Sequence, residues 1–397
     1  MSSLIFQSDA AKLHPDQPAT HVLLVGCGDY PNLAAAGYPG LPPLTSPRKS
    51  VRAMADWFLG GPDGCAPAPG LPSDEAFYNP AAPLGSVELL TSPSSDYITP
   101  AGAVVPIERS SLPNIRAAYK RWLSRLDTNI DSRGVFYFCG HGVGDGIDQV
   151  LIADDFGDDP ADVWSATFHV SNTCQASIRK TNANLLFLID ACMEFNPDVL
   201  FQIDSPKGLV PGSKNGAPLC SDWLVMRAST TNRLAYGVPN DMTRFTKALL
   251  QALKGHCGRQ RVGQPLYDVT ASQLRSATSA FLALFQQPGD AKWQKIGTPQ
   301  GEGAWDIPLH VLTKRPTALV QLDVSPKGFR PVAQAFIEKA GTPRELQPFN
   351  GAPVQFKAAW GEWSYGVSAV GGNNFQEQVL TNQLLFQSVV PYSFTIS

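Results

Sequence analysis

The sequence predicts an α/β fold: a mainly parallel sheet flanked by helices, followed by a small C-terminal antiparallel β-sandwich. Three observations predict it. Short apolar runs without alternation, such as HVLLVGCGDY (21–30), RGVFYFCGHG (133–142) and NLLFLIDAC (184–192), read as strands buried on both faces. Amphipathic stretches with helical spacing lie between them, as parallel crossovers require. Beyond about residue 308 the texture becomes alternating apolar and polar residues with turns between and no helix, the pattern of a sandwich.

Residues 1–19 read as a polar lead-in. The first strand, from His21, ends at Gly28 and Asp29. Ser46-Pro47 predicts an N-cap followed by proline at the first helical position, and Val51, Met54, Ala55 and Phe58 recur at helical spacing over 47–59. A Gly/Pro-rich loop at 60–84 precedes the strand SVELLT (86–91). Ser111 opens a second helix, with Ile115, Tyr119, Trp122, Leu123 and Leu126 on one face. The strand at 133–142 ends abruptly in Gly140-His141-Gly142. A helix is expected at 173–181, a buried strand at 184–192 and another strand at 222–229. Residues 193–221 have neither period. Helices follow at 242–255, stopped by Gly255, and at 268–287. The resulting domains are 20–305, carrying the sheet, and 310–397, the sandwich, in which Trp360, Trp363 and Tyr365 read as core.

Composition bounds the function. The 397 residues carry 31 Lys and Arg against 34 Asp and Glu, a net charge of −3, with no basic run of the kind nucleic-acid binding needs. No apolar stretch is long enough to span a membrane, and the N-terminal residues lack a signal-peptide pattern. The seven cysteines are scattered without CxxC or metal-ligand spacing, which suits reduced thiols in the cytoplasm. Most of them read as packing residues. Asp154, Asp155, Asp158, Asp159 and Asp162 form an acidic cluster that reads as a solvated loop, with a Ca²⁺ site as the alternative.

The chemistry concentrates at two strand ends. One run closes in Cys139-Gly140-His141-Gly142 and the other in Asp190-Ala191-Cys192. Ligands of parallel sheets bind beyond the C-terminal strand ends. If the two strands are neighbours, His141 and Cys192 emerge together there. An imidazole beside a thiol makes a nucleophile that attacks a carbonyl, and the same ring then protonates the leaving amine. Gly142 lets backbone N–H groups approach a developing oxyanion.

With the later strand and helix MRASTTNRLAY (226–236) and RFTKALLQAL (244–253), residues 20–300 resemble the caspase-like cysteine peptidases, in particular their bacterial metacaspase-like branch. The resemblance implies a catalytic dyad of His141 and Cys192, an oxyanion hole from the N–H groups of Gly142 and Cys192, and protein or peptide substrates. It implies that Asp190 lines the S1 pocket and pairs with a basic P1 residue. Two departures leave an acidic or small P1 open: Ser50 stands near a position that is usually acidic, and Gly237 where relatives carry an acidic residue or arginine. The loop 193–221, with Lys207 and Lys214, matches the family's site of self-cleavage. The chemistry requires no cofactor and no metal, although Ca²⁺ activates related enzymes. The β domain is expected to recruit a substrate or partner. By analogy, an enzyme of this type serves bacterial stress or phage-defence cell death. The alternatives are a catalytically silent scaffold of the same fold and a separase-like CHAT protease.

Overall fold

The computed structural model describes residues 3–33, 42–60, 76–99, 102–144, 148–195, 207–212, 217–230, 233–286, 293–371 and 375–396. Its centre is a seven-stranded sheet. The order across it is Leu4–Gln7, Leu84–Ser92, Thr20–Cys27, Arg133–Gly140, Asn184–Ala191, Trp223–Arg227 and Gln300–Glu302. The five inner strands run parallel and the two edge strands antiparallel. The apolar runs are therefore central strands. Their residues are almost all buried because helices cover both faces.

On one face Leu23, Val25, Phe136, Phe138, Phe187 and Ile189 meet Ile115, Tyr119 and Trp122 of the helix Leu112–Leu126. On the other, Val22, Leu24, Val135, Tyr137 and Leu188 meet Val51, Met54 and Phe58 of the helix Ser46–Leu59, together with Phe245, Leu249 and Phe281. Strict alternation of side chains along each strand divides the two cores. Each large apolar side chain fully buried in this way contributes roughly 1.5–3 kcal/mol.

Several elements differ from the sequence reading. The lead-in contributes an edge strand, Leu4–Gln7, and a short helix, Asp9–Leu13, capped by Ser8 Oγ accepting from Ala11 N–H at 3.2 Å. Ser46 is not the cap of its helix. Thr45 holds that position, and Ser46 Oγ instead donates to Val238 O at 2.9 Å. The expected helix at 173–181 begins earlier and ends earlier, spanning Val170–Ser177. The expected helix at 268–287 begins at Ala271, because Tyr267–Thr270 pairs as a strand with Pro308–Leu312. His310 on that partner strand is fully buried, bonded to the Tyr78 backbone.

The C-terminal region holds two sheets around a shared core that includes Val320, Leu322, Ile337, Phe356, Val367 and Phe394. One has the order Val354–Ala359, Thr317–Ser325, Val389–Thr395, and the other Glu345–Pro348, Ala333–Glu338, Gly361–Ala369, Gln378–Leu385. All pairings are antiparallel except one: Thr317–Ser325 and Val389–Thr395 run parallel. Alternation marks strands but carries no direction, so this pair was hidden in the sequence.

Candidate active site

The strand Arg133–Gly140 pairs in parallel with Asn184–Ala191. Past the strand ends, Gly142–Gly144 pairs in parallel with Glu194–Phe195. The register offset is 51 residues on both sides of the break, 191 against 140 and 194 against 143. The equal offset brings Cys192 opposite His141 at the C-terminal edge of adjacent strands.

The histidine is held from three sides. Its backbone N–H donates to Tyr30 Oη at 2.8 Å, and Tyr30 donates to Cys27 O at 3.0 Å. The Tyr30 ring lies 5.0 Å from the imidazole, tilted by 45°. Nε2 lies 2.8 Å from Pro42 O. A carbonyl oxygen only accepts, so Nε2 carries the proton and Nδ1 presents a lone pair. His141 is only 6% exposed, and burial lowers its pKa.

Cys192 is half-buried. Ala235 N–H donates to Sγ at 3.3 Å, and the thiol lies 3.5 Å from Ala235 O. Burial raises its pKa; the Ala235 N–H opposes this, while Asp190 and Glu194 add to it. A lowered imidazole and a raised thiol leave both groups neutral at rest.

The backbone around the thiol is clamped. Gln149, fully buried, donates from Nε2 to Ala191 O at 3.1 Å and to Cys192 O at 2.8 Å. Ser229 Oγ adds a bond to Ala191 O at 3.0 Å, and Met193 N–H donates to Arg233 O at 3.1 Å. Gly142 is required where it stands: a Cβ there would meet Cys192 O at 2.8 Å and Ala191 Cβ at 3.0 Å. Ile152 N–H donates to His141 O at 3.2 Å, which by antiparallel alternation turns the Gly142 N–H away from that partner strand, toward the cysteine side.

Asp190 lies on the opposite face of its strand from Ile189, among Tyr137, Thr243 and Thr246. It is 2% exposed. Its Oδ2 accepts from Tyr137 Oη at 3.2 Å, from Thr246 Oγ1 at 2.7 Å and from Thr243 Oγ1. Oδ1 has no partner among the described residues. Burial raises the Asp190 pKa, and the three hydroxyls oppose that shift. Ser50 borders the same cluster, accepting from Thr243 N–H at 3.1 Å. At Gly237 a Cβ would meet Ser46 Oγ at 2.7 Å. Ser50 thus stands on the helix Ser46–Leu59, and Gly237, in a separate loop, faces Ser46 at the start of that helix.

Lys207 is exposed, its carbonyl accepting from His169 N–H at 3.3 Å. Lys214 and Cys65 lie outside the described residues. The acidic cluster is not simply solvated. Asp154 is fully buried against Arg109, 3.2 Å away, and Asp155 accepts from Leu112 N–H at 2.8 Å, capping that helix. Among the described residues no three His, Cys, Asp or Glu side chains converge as a metal-binding group. No helix among them is long and apolar enough to cross a membrane.

The model of the caspase domain, peptidase family C14, matches residues 19–288. The chain belongs to the caspase-domain family. The uncharacterized protein y4kE of Sinorhizobium fredii (strain NBRC 101917 / NGR234) is 46% identical over 338 residues, covering 85% of this chain and 97% of that relative. Among solved structures, protein GSU0716 from Geobacter sulfurreducens is similar at 13% identity and a TM-score of 0.44, over 75% of this chain and 99% of its own. Caspase-1 from Spodoptera frugiperda is similar at 12% identity and a TM-score of 0.39, over 72% and 87%.

In this caspase-domain protein, sequence reasoning missed Pro42, Tyr30, Gln149 and Ala235. Tyr30 and Ala235 lie within the runs HVLLVGCGDY and MRASTTNRLAY without a role being read for them, and Pro42 and Gln149 lie in no such run. Pro42 sits in a Pro/Gly-rich loop, and Gln149 is one polar residue in a short apolar strand, QVLI. A polar residue fully buried within such a strand is the one signal that pointed to Gln149.

Proposed function

We propose that the chain is a cysteine endopeptidase acting on protein substrates through Cys192 and His141. The supporting observation is the equal register offset on both sides of the break, which favours His141 and Cys192 side by side, with Nε2 committed to Pro42 O. Cys192 Sγ–H passes its proton to His141 Nδ1, and the sulfur attacks the scissile carbonyl carbon. The carbonyl oxygen takes the electron pair and is met by the N–H groups of Gly142 and Cys192. Collapse of the tetrahedral species breaks the C–N bond. His141 Nδ1–H protonates the departing amine, leaving a thioester. Nδ1, again basic, removes a proton from water, whose oxygen attacks the thioester. The acid product leaves and Sγ regains its proton.

Because both groups rest neutral, the thiolate forms only as the proton passes to His141 Nδ1 during attack, and the Ala235 N–H donated to Sγ favours it. The buried Asp190, with one oxygen unpartnered, supports a basic P1 residue, which would satisfy that oxygen. Lys207, exposed in the segment after the cysteine strand, and Lys214 are the proposed self-cleavage positions, so that the chain is made as a zymogen.

The test is hydrolysis of a P1-diverse peptide library by wild type, Cys192→Ala and Asp190→Asn. Turnover after Arg or Lys, lost in both variants, is expected. Turnover after acidic or small residues, undiminished in Asp190→Asn, would remove Asp190 from the pocket. No turnover together with no labelling of Cys192 by an electrophilic peptide would leave an interaction scaffold.

A further inference from the structure

A second cavity, of about 590 Å³, lies away from the cysteine, where the helix Leu112–Leu126, the helix Val170–Ser177 and the strip 207–212 meet. Arg116, Lys120, Arg179 and Lys207 all line it. Among the described residues no carboxylate does. Arg116 and Lys120 stand four residues apart on one helix face, where like charges destabilise each other. Among the described residues neither they nor Lys207 has an ion-pair partner, although carboxylates outnumber cations in the chain. Arg179 is oriented: its Nη1 donates to Gln175 O at 2.6 Å and Gln175 Oε1 at 2.9 Å.

The strip that closes the cavity is anchored. Leu209 and Val210 are buried in the main core, and Leu209 N–H donates to Thr173 Oγ1 at 3.1 Å. Gly208 lies so close to the helix that a Cβ would meet Asn172 O at 3.0 Å. Its neighbour Lys207 is thereby held at the rim. Arg116, Lys120 and Lys207, with Arg179 beside them, bring like charge from three separate segments to one concave site, which favours an anion there.

We propose that this cavity binds a small oligophosphate anion that bridges the strip to both helices. The volume falls within the range of small-molecule sites. Arginine and lysine together match phosphate oxygens, the guanidinium in bidentate fashion and the ammonium as a point charge. A compact ligand with three or four negative charges neutralises all four cations at once. The strip lies downstream of Cys192, so the bound anion shields Lys207 from cleavage; that consequence alone rests on the peptidase reading.

The experiment uses the full chain carrying Cys192→Ala, so that self-cleavage cannot interfere. Inorganic triphosphate is titrated by calorimetry and thermal shift. Saturable one-site binding is expected, weakened in high salt and on the order of tenfold or more in Arg116→Gln/Arg179→Gln. Circular dichroism of that double variant without anion checks that it is folded. Absence of saturable binding, or equal binding by the double variant, overturns the proposal. So does hexaglutamate binding tighter than triphosphate, or sedimentation with phosphatidylserine vesicles in the absence of triphosphate binding. In the wild type, triphosphate should slow cleavage at Lys207. If no self-cleavage occurs at all, the peptidase reading fails, while the titration still decides the site.

Discussion

Replacing Gln149 by leucine isolates the clamp on Cys192. The two side chains are close in volume, so the change is mainly the loss of Nε2. Two carbonyls lose a donor, but not equally. Ala191 O keeps Ser229 Oγ at 3.0 Å, whereas Gln149 Nε2, at 2.8 Å, is the side-chain donor to Cys192 O. Leaving one buried acceptor unpaired costs about 1–3 kcal/mol. Gln149 Oε1 is itself buried without a partner, so its removal offsets part of this. The net expectation is about 1–2 kcal/mol, a melting temperature lower by roughly 1–2.5 °C for a chain of this size. The larger effect is on Cys192: with its carbonyl freed, the thiol loses its fixed position, and the rate of labelling by an electrophilic peptide should fall about tenfold or more. Ser229→Ala in the same background should cost more than Ser229→Ala alone, because Ala191 O then loses both donors. Paired thermal melts and labelling rates for the four proteins of this cycle decide the matter. If Gln149→Leu matches wild type in both, or the two substitutions are strictly additive, the clamp argument is wrong.

The ion pair of Asp148 with Arg227, 2.8 Å long and almost fully buried, should be costly to break: Asp148→Asn leaves a buried guanidinium and should destabilise by about 3 kcal/mol or more in denaturant melts. Arg227, His169 and the surrounding hydrogen bonds hold the Asp148 carboxyl well below the usual range, so this stability is present above its ordinary pKa and lost as the pH falls toward the lowered value. His141, whose pKa is lowered by burial, contributes stability above about pH 6.5 that disappears on acidification through its folded-state value, and melts of His141→Asn should lack that component. The raised thiol pKa predicts that alkylation of Cys192 by a small reagent keeps rising with pH beyond the range of an ordinary cysteine; a plateau near neutrality would mean a resting thiolate. Gly142→Ala pushes a methyl group against Cys192 O and should abolish labelling while leaving far-UV circular dichroism unchanged.

How much of this was legible beforehand can be argued element by element. The runs at 21–30, 133–142 and 184–192 were readable because a strand covered on both faces tolerates only apolar residues. The places where those runs stop, at His141 and Asp190-Cys192, were readable for the same reason: reactive polar residues stand where the sheet ends. The edge strand Leu4–Gln7 was not, since a four-residue strand at the rim needs no pattern of its own and owes its place to the unpaired side of Leu84–Ser92. Helix starts were off where a tertiary contact took the residue that looked like the start: Ser46 bonds to Val238, and Tyr267–Thr270 pairs as a strand.

The residues themselves determined which strands could be central, which side chains could be nucleophile and base, and that a second, alternating β unit follows. Tertiary structure alone decided that the register offset equals the spacing of His141 and Cys192, that Pro42 fixes the imidazole proton, and that Gln149 and Ala235 grip the cysteine. The physical reason is range. Burial leaves its mark on every residue of a segment, whereas a hydrogen bond between positions 99 or 43 residues apart leaves none in either neighbourhood.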